Sequence, residues 1–236
     1  MDFDFRAELK ELAEKIRRDP LLELFEFEMG DPVPEETIKA AEARFGTPLP
    51  TPLRQLYQSL GSVNLYWCLK SRLDERTRQR ITKRHTNMIS DSGLFDGAIR
   101  IVALEDMLFD EDFTMPQLEW KEGEEPEFDF AGTVYTDNEF SRMVRHFDAV
   151  DNYYAMSFIV QPDLVDWKMM FLGGHWIDAD YSRVTYLEDY LRYVIATRGS
   201  VHARRELFAE YRGDRREPLR YDPAVAAGVS SAPSDK

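Results

Sequence analysis

One histidine and two aspartates lie close together in the run from His175 to Asp180, and these residue types are potential metal ligands. On a strand, His175 and Asp178 would face opposite sides, whereas Asp178 and Asp180 would share one side. A metal site needs three or four converging ligands with a supporting shell. The alternative is a solvated hairpin end, where polar residues are expected. We therefore predict that the chain holds no metal and no cofactor.

Nucleophilic catalysis has little support in the sequence. The other histidines, His85, His146 and His202, have no cysteine and no nucleophile motif near them. The chain lacks Gly-x-Ser-x-Gly, a phosphate-binding glycine loop and His-Glu-x-x-His. Cys68 lies in an apolar stretch, which is more typical of a small core residue than of a nucleophile. We predict no catalytic residues and no enzymatic activity.

An acidic segment from Glu119 to Phe130 mixes carboxylates with aromatic rings. One interpretation is a solvated loop whose aromatic side chains are tucked into the body. The other is a binding surface that imitates phosphate charge and offers aromatic anchors to a basic cleft. The candidate partner-binding residues are Glu119, Trp120, Glu122, Glu124, Glu125, Glu127, Phe128 and Asp129.

The net charge of −14 and the pI near 4.8 narrow the class of partner. An acidic surface is repelled by nucleic-acid phosphates and by anionic membranes, so we predict that the chain binds neither. The charge favours a basic protein partner, or it serves solubility alone. A single cysteine, the absence of a signal peptide and the absence of a long apolar stretch indicate a cytoplasmic protein.

Hydrophobic periodicity predicts the elements that must position these residues. Phe5, Leu9, Leu12 and Ile16 recur at helical spacing, which predicts an amphipathic helix over residues 2–18. Residues 21–28 are compatible with a strand or a helix, and residues 110–130 are predicted to form a loop. Further helices are predicted at 34–45, 51–60, 70–84, 104–108, 186–196 and 201–211, and strands at 63–67, 98–103, 143–147, 153–160 and 167–172.

Helices at both ends and sequential strands in the middle predict an α+β fold with a mostly antiparallel central sheet. Gly173-Gly174 fits a two-residue hairpin turn between neighbouring strands. Residues 1–212 are predicted to form one domain with its core at 30–197. Residues 213–236 are polar and rich in Ala, Ser and Pro, so they are predicted to form a flexible tail.

Residues 33–61 form a continuous motif. It consists of Val33-Pro34-Glu35-Glu36-Thr37-Ile38, Ala41-Glu42-Ala43-Arg44-Phe45-Gly46, Leu49-Pro50-Thr51-Pro52-Leu53-Arg54-Gln55-Leu56-Tyr57 and Leu60-Gly61. This run resembles the opening of the SUKH superfamily, in which a helix closes on Gly and Leu-Pro leads to a second helix. The stretches 99–107, 151–158 and 185–191 are similar to later landmarks of that family, in the same order.

The resemblance implies a mixed α+β sheet flanked by helices. It also implies a function, because bacterial members of the superfamily are mostly immunity proteins that neutralise toxins, many of them enzymes. Fungal relatives act in cell-wall regulation through protein contacts. We therefore expect an immunity protein that binds and neutralises a cognate toxin, a nuclease or another enzyme with a basic surface. The alternative is a non-catalytic cytoplasmic regulatory or scaffold protein of the same fold. Self-association into a homo-oligomer stays open.

Overall fold

In the computed structural model, the described residues are 3–84, 95–130, 133–149, 154–161, 166–173, 183–209 and 218–230. The helices are α1 (Phe5–Arg18), α2 (Glu35–Phe45), α3 (Thr51–Ser59), α4 (Glu75–Arg84), α5 (Leu104–Phe109), α6 (Asp137–Met143), α7 (Leu187–Ala196), α8 (Val201–Arg204) and α9 (Pro223–Ser230). The strands are β1 (Leu22–Met29), β2 (Val63–Leu69), β3 (Gly97–Ile101), β4 (Glu127–Phe130), β5 (Thr133–Thr136), β6 (Val144–Ala149), β7 (Tyr154–Ile159), β8 (Lys168–Gly173) and β9 (Val184–Thr185).

A seven-stranded sheet with the order β1-β2-β3-β6-β7-β8-β9 forms the centre of the protein. Each neighbouring pair in it is antiparallel. This arrangement confirms the predicted α+β class and the antiparallel central sheet. The segment at 21–28, which the sequence left open between strand and helix, is the edge strand β1. The predicted Gly173-Gly174 turn extends outside the described residues.

One face of the sheet carries the main core. Strand β2 illustrates the alternation, since Val63, Leu65 and Trp67 belong to this core whereas Cys68 packs in a small cluster on the other side. Helix α1 supplies the apolar stripe that its spacing predicts, and α2, α3, α5 and α7 complete the cover. Helix α2 ends at Gly46, whose φ of +80° is the left-handed conformation that favours glycine.

The opposite face is covered by an element pair that the sequence analysis missed. Strands β4 and β5 form a separate two-stranded sheet, and α6 follows directly. Phe130 and Phe140 pack edge to face at 5.3 Å and join Val144 and Met170 in a second core cluster. The predicted loop at 110–130 is therefore wrong for its last four residues, because Phe130 is buried by this packing.

The central sheet is split between β3 and β6, which pair only through Ile101 and Asp148. The turn after α7 enters the gap: the amide of Ala98 donates to the carbonyl of Gly199 at 2.9 Å. Gly199 has a φ of +67°, and a Cβ at this position would lie 2.7 Å from the Ile99 side chain. Glycine is thus required here by both conformation and space.

The prediction of a flexible tail at 213–236 is wrong for residues 218–230, which pack against the protein. Within it, Leu219 is 5% exposed and its amide donates to the Val184 carbonyl at 2.7 Å. The Thr185 hydroxyl donates to the Leu219 carbonyl at 2.8 Å, and Ala226 of α9 is buried in the main core. Residues 218–230 are therefore docked, because backbone pairing and buried apolar side chains hold them. Residues 213–217 and 231–236 lie outside the described residues.

Within the described part of the chain, no helix combines the length and the apolar character that crossing a bilayer requires.

Candidate protein-binding site

The strongest concentration of charge lies in residues 110–139, which we call the acidic lobe. It contains eleven acidic residues and one lysine, against a net charge of −14 for the whole chain. The lobe includes a 3₁₀ turn at Glu111–Phe113, the connection to β4, the β4–β5 hairpin and the start of α6. The net charge of this one segment, −10, is therefore most of the net charge of the protein.

Asn138 ties the connection to α6. Its side-chain amide donates to the Leu118 carbonyl at 3.0 Å, and its side-chain oxygen accepts from the Leu118 amide at 3.0 Å. Next to it, the backbone amide of Asp137 donates to the Pro126 carbonyl at 3.0 Å. A turn between these anchors is closed by the Glu124 amide donating to the Lys121 carbonyl. The connection is thus held against the protein at both ends.

Glu125 has a structural part in this arrangement. Its carboxylate accepts from the backbone amide of Asn138 at 2.8 Å, in the first turn of α6. That bond, aided by one from the Thr136 side chain, lowers the pKa of Glu125 below its usual value. Thr136 and Glu139 form a capping box at the same helix start. Glu125 therefore belongs to the support of the lobe and is not a free surface charge.

The other predicted site residues divide between exposed and partly buried positions. Glu119, Glu122, Glu124 and Glu127 are exposed, and none of them forms an ion pair with any described residue. Trp120 is partly buried, and its indole N–H donates to the Asp137 carboxylate at 3.3 Å. In the strand register, Phe128 pairs with Tyr135 and Asp129 pairs with Val134. The side chains of Phe128 and Asp129 lie outside the described part.

The sequence analysis did not identify two exposed apolar side chains of the lobe. Leu118 is 39% exposed and Val134 is 60% exposed. Val134 was missed because the β4–β5 hairpin was not predicted, although Thr136 followed by Glu139 is a capping-box pattern that marks the start of α6. The structure thus combines four exposed carboxylates, none of which pairs with a cation that the structure describes, with apolar side chains on a supported lobe. Such a surface complements the charge of a basic protein.

Two described side chains, His146 and Cys68, belong to residue types that act as a base or a nucleophile in enzymes. Nδ1 of His146 lies 2.7 Å from the Ser157 hydroxyl, and burial, together with the charge of Arg145, lowers the pKa of His146 to about 4. Burial raises the pKa of the Cys68 thiol to about 12. A base with so low a pKa and a thiol with so high a pKa are poorly suited to catalysis near neutral pH.

The run from His175 to Asp180, whose residue types are potential metal ligands, lies outside the described residues, as does His85. His202 forms a surface contact with Glu206 at 3.5 Å. Across the ranges that the structure describes, no three His, Cys, Asp or Glu side chains are grouped so that they could hold a metal ion.

Comparison with known proteins gives no match: no protein-family model fits the chain, and neither a curated protein nor a solved structure is significantly similar to it.

Proposed function

We propose that this chain is a non-catalytic immunity protein, which binds a toxin enzyme through the acidic lobe and neutralises it in the cytoplasm. The observation that carries this proposal is a set of four exposed carboxylates on a segment fixed by hydrogen bonds to α6. They belong to Glu119, Glu122, Glu124 and Glu127, and none of them pairs with a described lysine or arginine. The likeness of residues 33–61 to the opening of the SUKH superfamily supports the proposed immunity function.

The fixed shape of the lobe matters for binding. A flexible acidic loop would lose conformational freedom when it binds a partner, and that loss would weaken the complex. Here the contacts of Asn138 with Leu118, and of Glu125 with the start of α6, already hold the backbone. The carboxylates can therefore attract a basic surface at little ordering cost, which increases the rate of encounter.

The exposed apolar side chains of the lobe can slow dissociation of the complex, which charge alone does little to affect. Charged rims mainly affect the rate of association, whereas buried apolar anchors slow dissociation. Leu118 and Val134 are exposed large apolar side chains on the lobe. We propose that they pack against the partner while the surrounding carboxylates meet its lysines and arginines.

Affinity capture with the full chain tests the proposal. The bait is compared with a lobe variant in which Glu119, Glu122, Glu124 and Glu127 are replaced by Gln. A matched control replaces four exposed acids elsewhere, Glu11, Glu14, Glu28 and Glu36, and so changes the net charge equally. We expect the wild type and the control to capture a basic enzyme that the lobe variant loses.

The captured enzyme is then assayed with increasing amounts of the protein. Loss of its activity at an equimolar ratio supports neutralisation. A captured protein that stays fully active would contradict the immunity function and favour the regulatory or scaffold alternative. Equal losses of capture by the lobe variant and the control would show that net charge, and not the lobe, drives binding.

A further inference from the structure

The two edges of the central sheet differ in how they are covered. At one edge, β9 is paired with Leu219, whose amide donates to the Val184 carbonyl at 2.7 Å and which forms a bridge with Thr185. At the other edge lies β1, a strand of eight residues that has β2 as its neighbour in the sheet. An edge strand of this length presents backbone groups with which another strand can pair.

The backbone groups of Phe27 and Met29 point away from β2. The amide of Gly30 donates to the Ser62 carbonyl at 3.0 Å, so Gly30 faces β2. Backbone groups alternate in direction along an antiparallel strand, so the two residues that face outward before Gly30 are Met29 and Phe27. Among the described residues, none outside the β1–β2 pair forms a hydrogen bond with the backbone of either one. Their N–H and C=O groups can therefore pair with an added strand.

The side chains of β1 form an apolar row on one face and an acidic row on the other. Leu24, Phe27 and Met29 pack against the main core. Glu26 and Glu28 lie on the opposite face, because side chains alternate along a strand. Glu28 is exposed and forms no ion pair with a described residue. Side chains directly opposite each other on paired strands share a face, so the best partner has apolar residues beside the first row and basic residues beside the second.

A second copy of the chain does not meet this requirement. The antiparallel register that uses Phe27 and Met29 of both copies places Glu28 directly opposite Glu28. A shift that places Phe27 opposite Phe27 brings Glu26 opposite Glu28. Like charges in directly opposite positions destabilise a strand pair. The acidic row therefore opposes pairing between two copies and favours a basic strand.

We propose that the β1 edge binds an extended segment of another protein, which adds a strand to the central sheet and alternates basic with apolar residues. The backbone of this segment bonds to Phe27 and Met29, and its basic side chains lie beside Glu26 and Glu28. The register shift after Leu24 limits regular pairing to the second half of β1, so the segment is short. These residues lie outside the acidic lobe, and the inference does not depend on the proposed neutralisation of a toxin.

The test uses the full chain labelled with ¹⁵N and the acetylated, amidated peptide Thr-Lys-Val-Lys-Val-Thr. Saturation of the chemical-shift changes gives the bound fraction, and NMR measures the exchange of each backbone amide with water. When about nine-tenths of the protein is bound, exchange at Phe27 and Met29 should slow by about tenfold, because it then proceeds from the free tenth. The amides of Glu26 and Glu28 face β2 and should change much less.

Two results would overturn the proposal. One is the absence of binding at millimolar peptide, or binding that leaves exchange at Phe27 and Met29 unchanged. The other is slower exchange at these two amides when the protein is concentrated without peptide, because a second copy would then occupy the edge.

A pair of methylated peptides tests the backbone pairing. N-methylation of both Val residues removes the N–H groups that point at β1, so binding should weaken by about tenfold or more. N-methylation of both Lys residues removes N–H groups that point away from β1 and should weaken binding much less. Equal binding of the two methylated peptides would contradict strand addition.

A change of charge tests the chemistry of the partner. A peptide with Glu in place of each Lys should bind at least about threefold more weakly than the Lys peptide, the scale of exposed cross-strand pairs. The Glu28→Lys variant changes an exposed side chain and should reduce this preference by about threefold or more. Equal binding of the Lys and Glu peptides to the wild type, or an unchanged preference in the variant, would contradict the assignment to a basic strand.

Discussion

Arg204 donates from Nη1 to Oδ2 of Asp148 at 2.6 Å, and both side chains are 1% exposed. The Tyr190 hydroxyl donates to the same carboxylate oxygen at 2.6 Å. The other nitrogen, Nη2 of Arg204, donates to the carbonyls of Ala98 and Gly199. Arg204 therefore joins β3, β6 and the turn after α7 where the sheet is split, so this buried ion pair closes the fold.

Separating the pair should strongly destabilise the protein. Asp148→Asn keeps an acceptor for Tyr190 but leaves Arg204 as a buried charge without a counterion. Arg204→Met leaves the Asp148 carboxylate as a buried charge without a counterion. We expect each change to lower the free energy of unfolding by about 3–5 kcal/mol, measured by urea denaturation.

The double variant Asp148→Asn with Arg204→Met is the control, because it leaves no uncompensated charge. It should be destabilised by less than the sum of the two single changes. Single-variant losses below about 1 kcal/mol would show that the pair contributes little to closing the split.

The sequence predicted what depends on local periodicity and could not predict what depends on distant partners. The stripe from Phe5 to Ile16 identified α1, because each turn of the helix places an apolar side chain on the same face. Nothing local marked Arg204 as buried, since its counterion is 56 residues away. Leu219 likewise looks like an isolated apolar residue in a polar tail, and only its pairing with Val184 and Thr185 explains its burial.

The binding site was predicted in part for the same reason. Composition identified the acidic segment, and the exposure of Glu119, Glu122, Glu124 and Glu127 agrees with a surface role. The support through Glu125 depends on a helix that begins at residue 137, so a reading of the segment by itself treats Glu125 as one more surface charge.

The docking of residues 218–230 predicts a loss of stability that a flexible tail would not show. Leu219→Ala removes a side chain that is 5% exposed and should lower the free energy of unfolding by about 2–5 kcal/mol. Val225→Ala is the matched control: Val225 is 40% exposed, so its loss should change stability by no more than about 0.5 kcal/mol. Denaturant unfolding measures both, and equal effects would mean that the segment is not held through Leu219.

The lowered pKa of His146 predicts that the stability of the protein depends on pH. Its pKa of about 4 in the folded protein lies below the value of about 6.5 expected for an unfolded chain. Above pH 6.5 the imidazole is neutral in both the folded and the unfolded protein, so protonation of His146 does not lower the free energy of unfolding. Between about pH 6.5 and 4 only the unfolded state takes up the proton, so stability falls as the pH falls.

Thermal unfolding between pH 7 and pH 4 measures this effect. His146→Gln should reduce the slope of melting temperature against pH within the window. His202→Gln is the control, because the His202 side chain is 51% exposed and its loss should leave the slope nearly unchanged. Parallel slopes for the wild type and His146→Gln would contradict a partly buried imidazole that stays neutral in the folded protein.

Glu125 and Glu124 are neighbours with different expected effects. Glu125→Ala removes the acceptor for the Asn138 amide at the start of α6, so it should lower the melting temperature. Glu124→Ala removes an exposed carboxylate and should change it little. Because hydrogen bonding lowers the pKa of Glu125, its contribution is present above the ordinary carboxyl pKa and is lost in acid. The two melting temperatures should therefore differ at pH 7 and converge at low pH.

The exposed carboxylates of the lobe should act mainly on the rate of association. Replacing Glu119, Glu122, Glu124 and Glu127 together by Gln removes charges that attract a basic partner from a distance. Such attraction raises association rates by about 10- to 1,000-fold and is screened by salt. Stopped-flow association with the captured partner, at low and high salt, should therefore give a slower rate with a weaker salt dependence.

Dissociation of the variant should change less than association, because rim charges contribute little once the surfaces are in contact. The four substitutions should leave the melting temperature nearly unchanged, since Glu125 and its bond to α6 are kept. An association rate equal to that of the wild type at low salt would place the partner elsewhere on the protein.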